Sequence, residues 1–436
     1  MSQILLFGAG KSATSLIRYL IDVAGPRGWR IVVAENNLEL ALSKTGGAAC
    51  ARAVRLSVED EAERERLVQE ADVVISLLPP ALHFLVAQSC LRKRRHLLTA
   101  SYVDSAMEGL RKGVREAGLL FLCEMGLDPG IDHMSALHFI GRVREEADRI
   151  VEFHSHTGGL VAPESDDNPW HYKISWNPRN VVRAGAAGAK FRSDGEEVCW
   201  NYAELFERPG QIDVPETGRL AWYPNRDSLP YIELYGLEEA ETFVRTTLRY
   251  PGFCEGWAGV VRAGLTDDVG GLGAGGNGRG AGVPAVRGGG LTVAEWSAPL
   301  LPFVTDGNRG MYAWLGFFDD SVVPAAAKTS ADVLQHLLET RLAMRPEDKD
   351  MIVMRHEIGF ISGGKRMRRK STLVVKGEDS LHTAMAKTVG LPLGIAAKLL
   401  LEGKVALRGL QIPVAKELYV PVLKELEVLG IRFQEE

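Results

Sequence analysis

Residues 3–23 read QILLFGAGKSATSLIRYLIDV, and this stretch decides the fold. Gln3 to Phe7 is a short apolar run suited to a buried strand, and Ser12 to Val23 carries apolar residues at helical spacing. Between them Gly8-Ala9-Gly10-Lys11-Ser12-Ala13 is a G-x-G-x-x-A turn. Gly8 permits the tight turn, Gly10 lets backbone approach a pyrophosphate, and Ala13 allows the helix to pack close to the sheet. The helix N-terminus then offers unsatisfied N–H groups to the anion. The motif alone would also describe a glycine turn in a non-binding domain; its place between strand and helix points to a dinucleotide.

Outward from this unit, strand and helix keep alternating. Arg30–Ala34 is a second strand after a break at Gly25-Pro26, and further strands are expected at 53–56, 72–77, 96–99 and 119–123. Helical segments fall between them at 38–45, 59–70, 81–91 and 105–117. The pattern predicts an α/β fold, a Rossmann-type doubly wound parallel sheet. Glu35 closes the second strand about twenty residues past the glycines, where an acidic side chain hydrogen-bonds the ribose 2′-OH and repels a 2′-phosphate. Asn36-Asn37 supplies no cation, so NAD is favoured over NADP.

Ligands bind beyond the carboxyl ends of such strands. Three loops lie there: Ser76 to Pro80, Thr99 to Val103, and Gly126 to His133. Leu78, Pro79, Ser101, Leu127 and Pro129 therefore join Gly8, Gly10, Lys11, Ser12, Ala13 and Glu35 as the expected cofactor-binding set. Asp132 is placed to cap the helix that follows. Asp128, His133, His156 and Tyr102 are the candidates for proton transfer.

At 436 residues the chain has room for two or three domains. A net charge of −5 argues against a general nucleic-acid binder, and the basic runs Arg92–Arg95 and Lys365–Lys370 read as solvated surface. The five cysteines are scattered without metal-ligand spacing, which suits buried thiols in a reducing compartment and no metal site. The N-terminus opens on a strand rather than a charged leader, and no uninterrupted apolar run approaches the roughly 20 residues of a membrane span. The expectation is a cytoplasmic protein.

From Ile150 the texture changes to longer strands and turn-rich loops, as in an α+β domain. Residues 154–178, HSHTGGLVAPESDDNPWHYKISWNP, are expected to leave a strand at 150–153, turn at Gly158-Gly159, and carry binding residues in the loop. Segments 238–249 and 331–343 read as helices, and 351–361 with 368–375 as a hairpin. The stretch 268–290 is dominated by glycine and reads as a surface insert. Helices are expected at 380–388, 393–401 and 419–429.

Three segments, GLDPGIDHM (126–134), APESDDNP (162–169) and YPNRDSLPY (223–231), stand in this order behind a nucleotide-binding N-terminus. In this the chain resembles the saccharopine dehydrogenases of the glutamate-forming type, also called saccharopine reductases. The resemblance covers nearly the whole chain except the glycine-rich insert. It implies a nucleotide domain at 1–125, closed by a return at 390–436. It also implies a substrate and dimerisation domain at 126–389, with a helical part at about 236–345. The implied reaction is reversible NAD(P)-dependent oxidation of saccharopine to L-glutamate and 2-aminoadipate 6-semialdehyde, by a homodimer. Substrate contacts would come from Ser101, Tyr102, Asp128, Tyr172, Arg226, Thr247 and Arg249, the arginines holding carboxylates in a planar fork. Many relatives have a cysteine where Thr157 stands, so a thiol cannot act at that position here. Two alternatives stay open: a carboxynorspermidine- or opine-type dehydrogenase of the same fold, and a non-catalytic dinucleotide-binding protein.

Overall fold

A computed structural model describes residues 1–269, 271–272 and 290–436. The glycine-rich insert therefore lies almost wholly outside the described residues. The chain forms two compact units: Met1–Glu146 with Leu373–Gly377 and Leu381–Gln434, and Ala147–Thr372 with Glu378–Ser380 and Glu435–Glu436. The division falls at residue 146, later than the expected 125, because the helix Ile131–Val143 buries its first six residues and one face of the rest, and packs on the C-terminal helix Lys416–Val428.

The first unit is built on β1 (Gln3–Phe7), β2 (Arg30–Glu35), β3 (Ala51–Arg55), β4 (Val73–Ser76), β5 (His96–Thr99) and β6 (Leu120–Leu122). The sheet order is Gly409–Gln411, β6, β5, β4, β1, β2, β3, with every pairing parallel. This is the doubly wound arrangement the alternation predicts. Ile4, Leu5, Leu6, Val73, Val74 and Ile75 are all fully buried, as strands covered on both faces require. The first helix runs Thr14–Arg27, straight through Gly25-Pro26, and ends where Gly28 adopts a left-handed cap.

The C-terminal return begins earlier than expected. Two helices were predicted around Pro392, but one helix spans Ala384–Leu401 with Pro392 inside it. It is the one described helix long and apolar enough to cross a membrane, and 78% of it is buried inside the protein. Its apolar length is spent on packing against the first helix.

The second unit holds β7 (Arg149–Val161), β8 (Ala189–Ser193), β9 (Glu196–Trp200), β10 (Gly210–Val214), β11 (Gly218–Pro224), β12 (Arg226–Asp227), β13 (Thr242–Arg249), β14 (Asp350–Ser362) and, as far as Thr372, β15 (Lys365–Lys376). They form a mixed sheet whose main path is β10-β11-β13-β7-β14-β15, with β8, β9 and β12 as a side branch. Two expectations are corrected here. Residues 242–249 are a central strand, not a helix: Thr242, Val244, Thr246 and Thr247 are β-branched, and both strand edges find partners in β7 and β11. The strand β7 does not turn at Gly158-Gly159 but pairs with β14 through Val161. A Cβ on Gly158 would lie 2.6 Å from Leu248 Cβ, so this glycine serves close packing between strands. Helices 251–262, 309–315 and 330–341 gather around Trp170, Trp257, Trp296 and Tyr312 in an aromatic core.

Candidate active site

Each unit carries its own set of functional side chains. In the first, the turn after β1 and the ends of β2, β3 and β4 enclose a cavity of about 350 Å³ lined by Gly8, Gly10, Glu35, Asn36, Ser57, Glu59, Leu78, Pro79 and their neighbours. A Cβ built on Gly10 would meet nothing within 4 Å, which leaves open the face from which a pyrophosphate would approach. Lys11 to Ala13 form a short 3-10 turn leading into the first helix, with Ala13 buried. Glu35 turns its carboxylate toward the glycine loop, where Oε2 accepts from Ala9 N–H at 2.8 Å and Oε1 from Asn37 N–H at 3.3 Å. Lys44 donates to the Gly10 carbonyl at 2.5 Å, and burial pulls its pKa down to about 8, opposed by Glu35. Among the described residues no arginine or lysine lines the cavity, whereas two carboxylates, Glu35 and Glu59, do. These residues fit a nicotinamide dinucleotide.

Beyond β4 and β5 the loops interlock. His83, in the first turn after Pro79-Pro80, bridges Ser76 Oγ (2.8 Å from Nδ1) and Ser101 Oγ (2.7 Å from Nε2). Burial lowers the His83 pKa to about 4, against a smaller opposing pull from Asp104, so the ring is neutral at physiological pH. It exchanges one hydrogen bond with each serine and fixes the Ser101 hydroxyl. Next along the chain, Tyr102 donates to Asp128 Oδ1 at 3.0 Å.

Asp128 sits in a tight loop. Gly126 N–H donates to the Pro129 carbonyl at 2.9 Å, and Ile131 N–H to the Gly126 carbonyl at 2.9 Å. Gly130 has φ 144°, and a Cβ there would fall 2.2 Å from the Gly126 carbonyl oxygen, so only glycine closes this turn. Leu127 is buried beneath it. Asp132 was expected to cap the helix that follows, but the N-cap is Gly130 and Asp132 is the helix's second residue, reaching back to accept from Gly130 N–H at 2.5 Å. His133 is fully buried, with Nε2 2.9 Å from Glu124 Oε2 and Nδ1 3.7 Å from Asp132 Oδ2. Enclosed between two buried carboxylates, it is a support for the loop rather than a group presented to a ligand.

In the second unit, register sorts the candidates by face. Thr157, Thr247 and Tyr223 are direct neighbours across β7, β13 and β11, and Arg249 lies two residues from Thr247 on the same face. Arg249 is 4% exposed and its Nη1 donates to the Leu248 carbonyl at 2.9 Å. Its Nε has no partner among the described residues, and no described carboxylate pairs with it. Phe253, Tyr172 and Tyr223 surround the guanidinium, with ring centroids 5.3, 5.4 and 5.9 Å from Cζ. The Tyr223 hydroxyl is also buried, beside the Thr247 hydroxyl; burial pushes its pKa up to about 12, with Arg249 opposing. Tyr172 accepts from Trp176 Nε1 at 3.1 Å. A buried cation with aromatic walls and no counter-charge is costly unless an anion completes it.

His156 falls on the opposite face. It is buried beside Trp222 and His154, hydrogen-bonded to Thr246 Oγ1 at 2.7 Å, and burial holds its pKa well below the usual imidazole range. The structure separates it from the Arg249 face and leaves it a neutral core histidine. Arg226 lies at the surface on β12 with φ 55°. Lys173, in the loop whose residues invited a binding role, is consumed by Asp348 (2.7 Å) and Asp167 (3.0 Å).

Sequence reasoning missed His83, Glu124 and Tyr223. Glu124 left one signal, a single acid inside the apolar run Leu119 to Met125. His83 left its place in the first helical turn after a strand end. Tyr223 opens the YPNRDSLPY motif, but nothing in the sequence shows that it faces Arg249.

The saccharopine dehydrogenase NADP binding domain model matches residues 4–122, and the saccharopine dehydrogenase C-terminal domain model matches residues 126–431. An alpha-aminoadipic semialdehyde synthase of Arabidopsis thaliana is 35% identical over 93% of this chain and 40% of its own length. The chain thus spans less than half of that relative. A saccharopine dehydrogenase [NADP(+), L-glutamate-forming] of Schizosaccharomyces pombe is 32% identical over 100% of this chain and 99% of its own. Among solved structures, the apo saccharopine dehydrogenase (L-Glu forming) of Saccharomyces cerevisiae is similar with a TM-score of 0.85 and 30% identity, over 100% of this chain and 99% of that one. With both domain models matched in order along nearly its whole length, the chain belongs to the saccharopine dehydrogenase family.

Proposed function

We propose that this protein is an NAD(P)-dependent saccharopine dehydrogenase, oxidising saccharopine to L-glutamate and 2-aminoadipate 6-semialdehyde and running the reverse reductive condensation. The observation that carries the reading is Arg249, a buried guanidinium in an aromatic surround with no carboxylate paired to it among the described residues. A tricarboxylate substrate supplies the missing anion, and the hydroxyls of Thr247 and Tyr223 beside it accept or donate the further hydrogen bonds such a ligand needs. Gly8, Gly10 and Glu35 would hold a nicotinamide coenzyme, which would supply the hydride acceptor for the secondary-amine carbon. The chain's own part is proton handling. Asp128, hydrogen-bonded to the Tyr102 hydroxyl, takes the amine proton and releases it to solvent, then takes one from the water that adds to the imine and returns it to nitrogen as the carbinolamine C–N bond breaks and glutamate leaves; Tyr102 holds the carboxylate and the water in place. Ser101, fixed by His83, orients the reacting end.

The coenzyme reading extends to a preference. Glu35 and Glu59 line the adenosine cavity and no cation among the described residues does, so a 2′-phosphate meets like charge while a free 2′-OH finds an acceptor. This supports NAD over NADP, although the matched domain model and the fungal relative are named for NADP.

The test is nicotinamide absorbance at saturating saccharopine with NAD and NADP side by side. Oxidation releases protons, so it should run forward at alkaline pH and backward near neutrality. No absorbance change in either direction with folded protein would refute the reading.

A further inference from the structure

Glu124 stands two residues beyond β6 with φ 57°, a left-handed backbone that residues with side chains adopt rarely, and its carboxylate is buried. Its backbone N–H and both carboxylate oxygens are committed to the loops around Tyr102 and Asp128. Its backbone N–H donates to the Ser101 carbonyl at 3.0 Å, and its Oε1 accepts from Val103 N–H at 3.2 Å. Tyr102 is therefore clamped on both sides by one residue. The other carboxylate oxygen meets His133 Nε2 at 2.9 Å. His133 stands next to Asp132, which accepts from Gly130 N–H and whose own N–H donates to the Leu127 carbonyl at 3.0 Å, on either side of Asp128-Pro129. One side chain thus anchors both segments whose tips meet in the 3.0 Å Tyr102–Asp128 hydrogen bond.

We infer that Glu124 is the positioning residue of the reaction: through Val103 N–H and His133 it sets the Tyr102 hydroxyl against the Asp128 carboxylate. The inference rests on the proton-transfer role given to that pair above. An apolar or solvated residue at this position would leave the Val103 N–H and His133 without their acceptor, and the two loops would lose their common anchor. A misplacement of about 1 Å at the reacting groups can cost on the order of 10²-fold in rate.

The experiment is a double-mutant cycle on kcat for Glu124→Gln and Tyr102→Phe. Glutamine keeps an oxygen for Val103 N–H but presents an amide to His133. If Glu124 acts through Tyr102, E124Q should lower kcat by about 10- to 100-fold in the wild-type background and by less than about 3-fold in Y102F, with coenzyme Kd unchanged. Equal fold losses in both backgrounds would overturn the inference, because a purely structural contribution adds independently. Should E124Q fail to bind coenzyme, His133→Gln, which leaves Glu124 on Val103 N–H, goes through the same cycle with the same two outcomes. A separate readout needs no turnover: in ¹³C-tyrosine-labelled protein, the ring carbon bearing the Tyr102 hydroxyl, assigned by its loss in Y102F, should shift in E124Q. An unchanged resonance overturns the positioning role, whereas absent saccharopine turnover in the wild type refutes only the substrate reading.

Discussion

Arg249 is the residue on which most depends. In the unliganded protein a buried guanidinium without a carboxylate destabilises, so Arg249→Met should unfold at higher urea concentration than the wild type while losing activity. A charged hydrogen bond contributes about 1.5–3 kcal/mol, so kcat/KM for saccharopine should fall by roughly 10- to 150-fold, mostly in KM, with NAD affinity unchanged. An unaltered saccharopine KM would remove Arg249 from the site. At Glu35, replacement by Ser should weaken NAD and improve NADP; a wild type that already prefers NADP by about tenfold would contradict the ribose contact. His83 makes a pH prediction. Its folded pKa of about 4 lies below the ordinary value of 6.5, so the unfolded chain binds a proton that the folded one refuses. The stability it contributes is full above pH 6.5 and is lost as pH falls toward 4, by about 2 kcal/mol at pH 5. Urea midpoints measured from pH 7 to 4.5 should fall less steeply for His83→Gln than for the wild type.

At the scale of elements, β13 joins the fold to the chemistry. Paired on both edges, it alternates its side chains so that Thr247 and Arg249 share a face with Thr157 and Tyr223, while Thr246 and Leu248 pack with His156 and Trp222 on the other. A shift of one residue would exchange the two sets. Gly158 protects that register by letting β7 lie against Leu248. Gly158→Ala places a Cβ 2.6 Å from Leu248 Cβ and 2.9 Å from its carbonyl oxygen. Relieving such overlap costs about 1–3 kcal/mol, and the strand is where the cost is paid. The expected result is a lower urea midpoint and a raised saccharopine KM, with coenzyme affinity retained because the first unit is untouched.

For the whole molecule, the decisive fact is that the first unit is assembled from both ends of the chain. The strand Gly409–Gln411 completes its sheet beside β6, and the helices Ala384–Leu401 and Lys416–Val428 cover it. Truncation after residue 380 should therefore abolish coenzyme binding even though residues 1–146 remain; calorimetry with NAD on the truncated chain checks this, and retained affinity would mean that the N-terminal part folds alone. In the intact protein, NAD at about 100 times Kd should stabilise the unit that binds it by about 2.7 kcal/mol. Hydrogen exchange should show that protection in segments such as 3–35 rather than in β13.

The doubly wound sheet, the glycine turn, Glu35 and the loops bearing Tyr102 and Asp128 were legible in the sequence, because a buried parallel strand and a strand-end turn are local patterns of period and composition. The helix once expected over 238–249 and the turn once expected at Gly158-Gly159 were misread for the same reason: β13 is a strand because partners pair both its edges, and Gly158 is small because Leu248 lies against it. His156 and Arg249 looked alike as chemistry-bearing residues in binding segments; register sent one into the core and left the other facing its aromatic surround. Residue types and their local periods fixed what chemistry this chain can offer. Which side chains are aimed, paired or buried was settled by contacts between residues distant in sequence, and only the folded structure holds those.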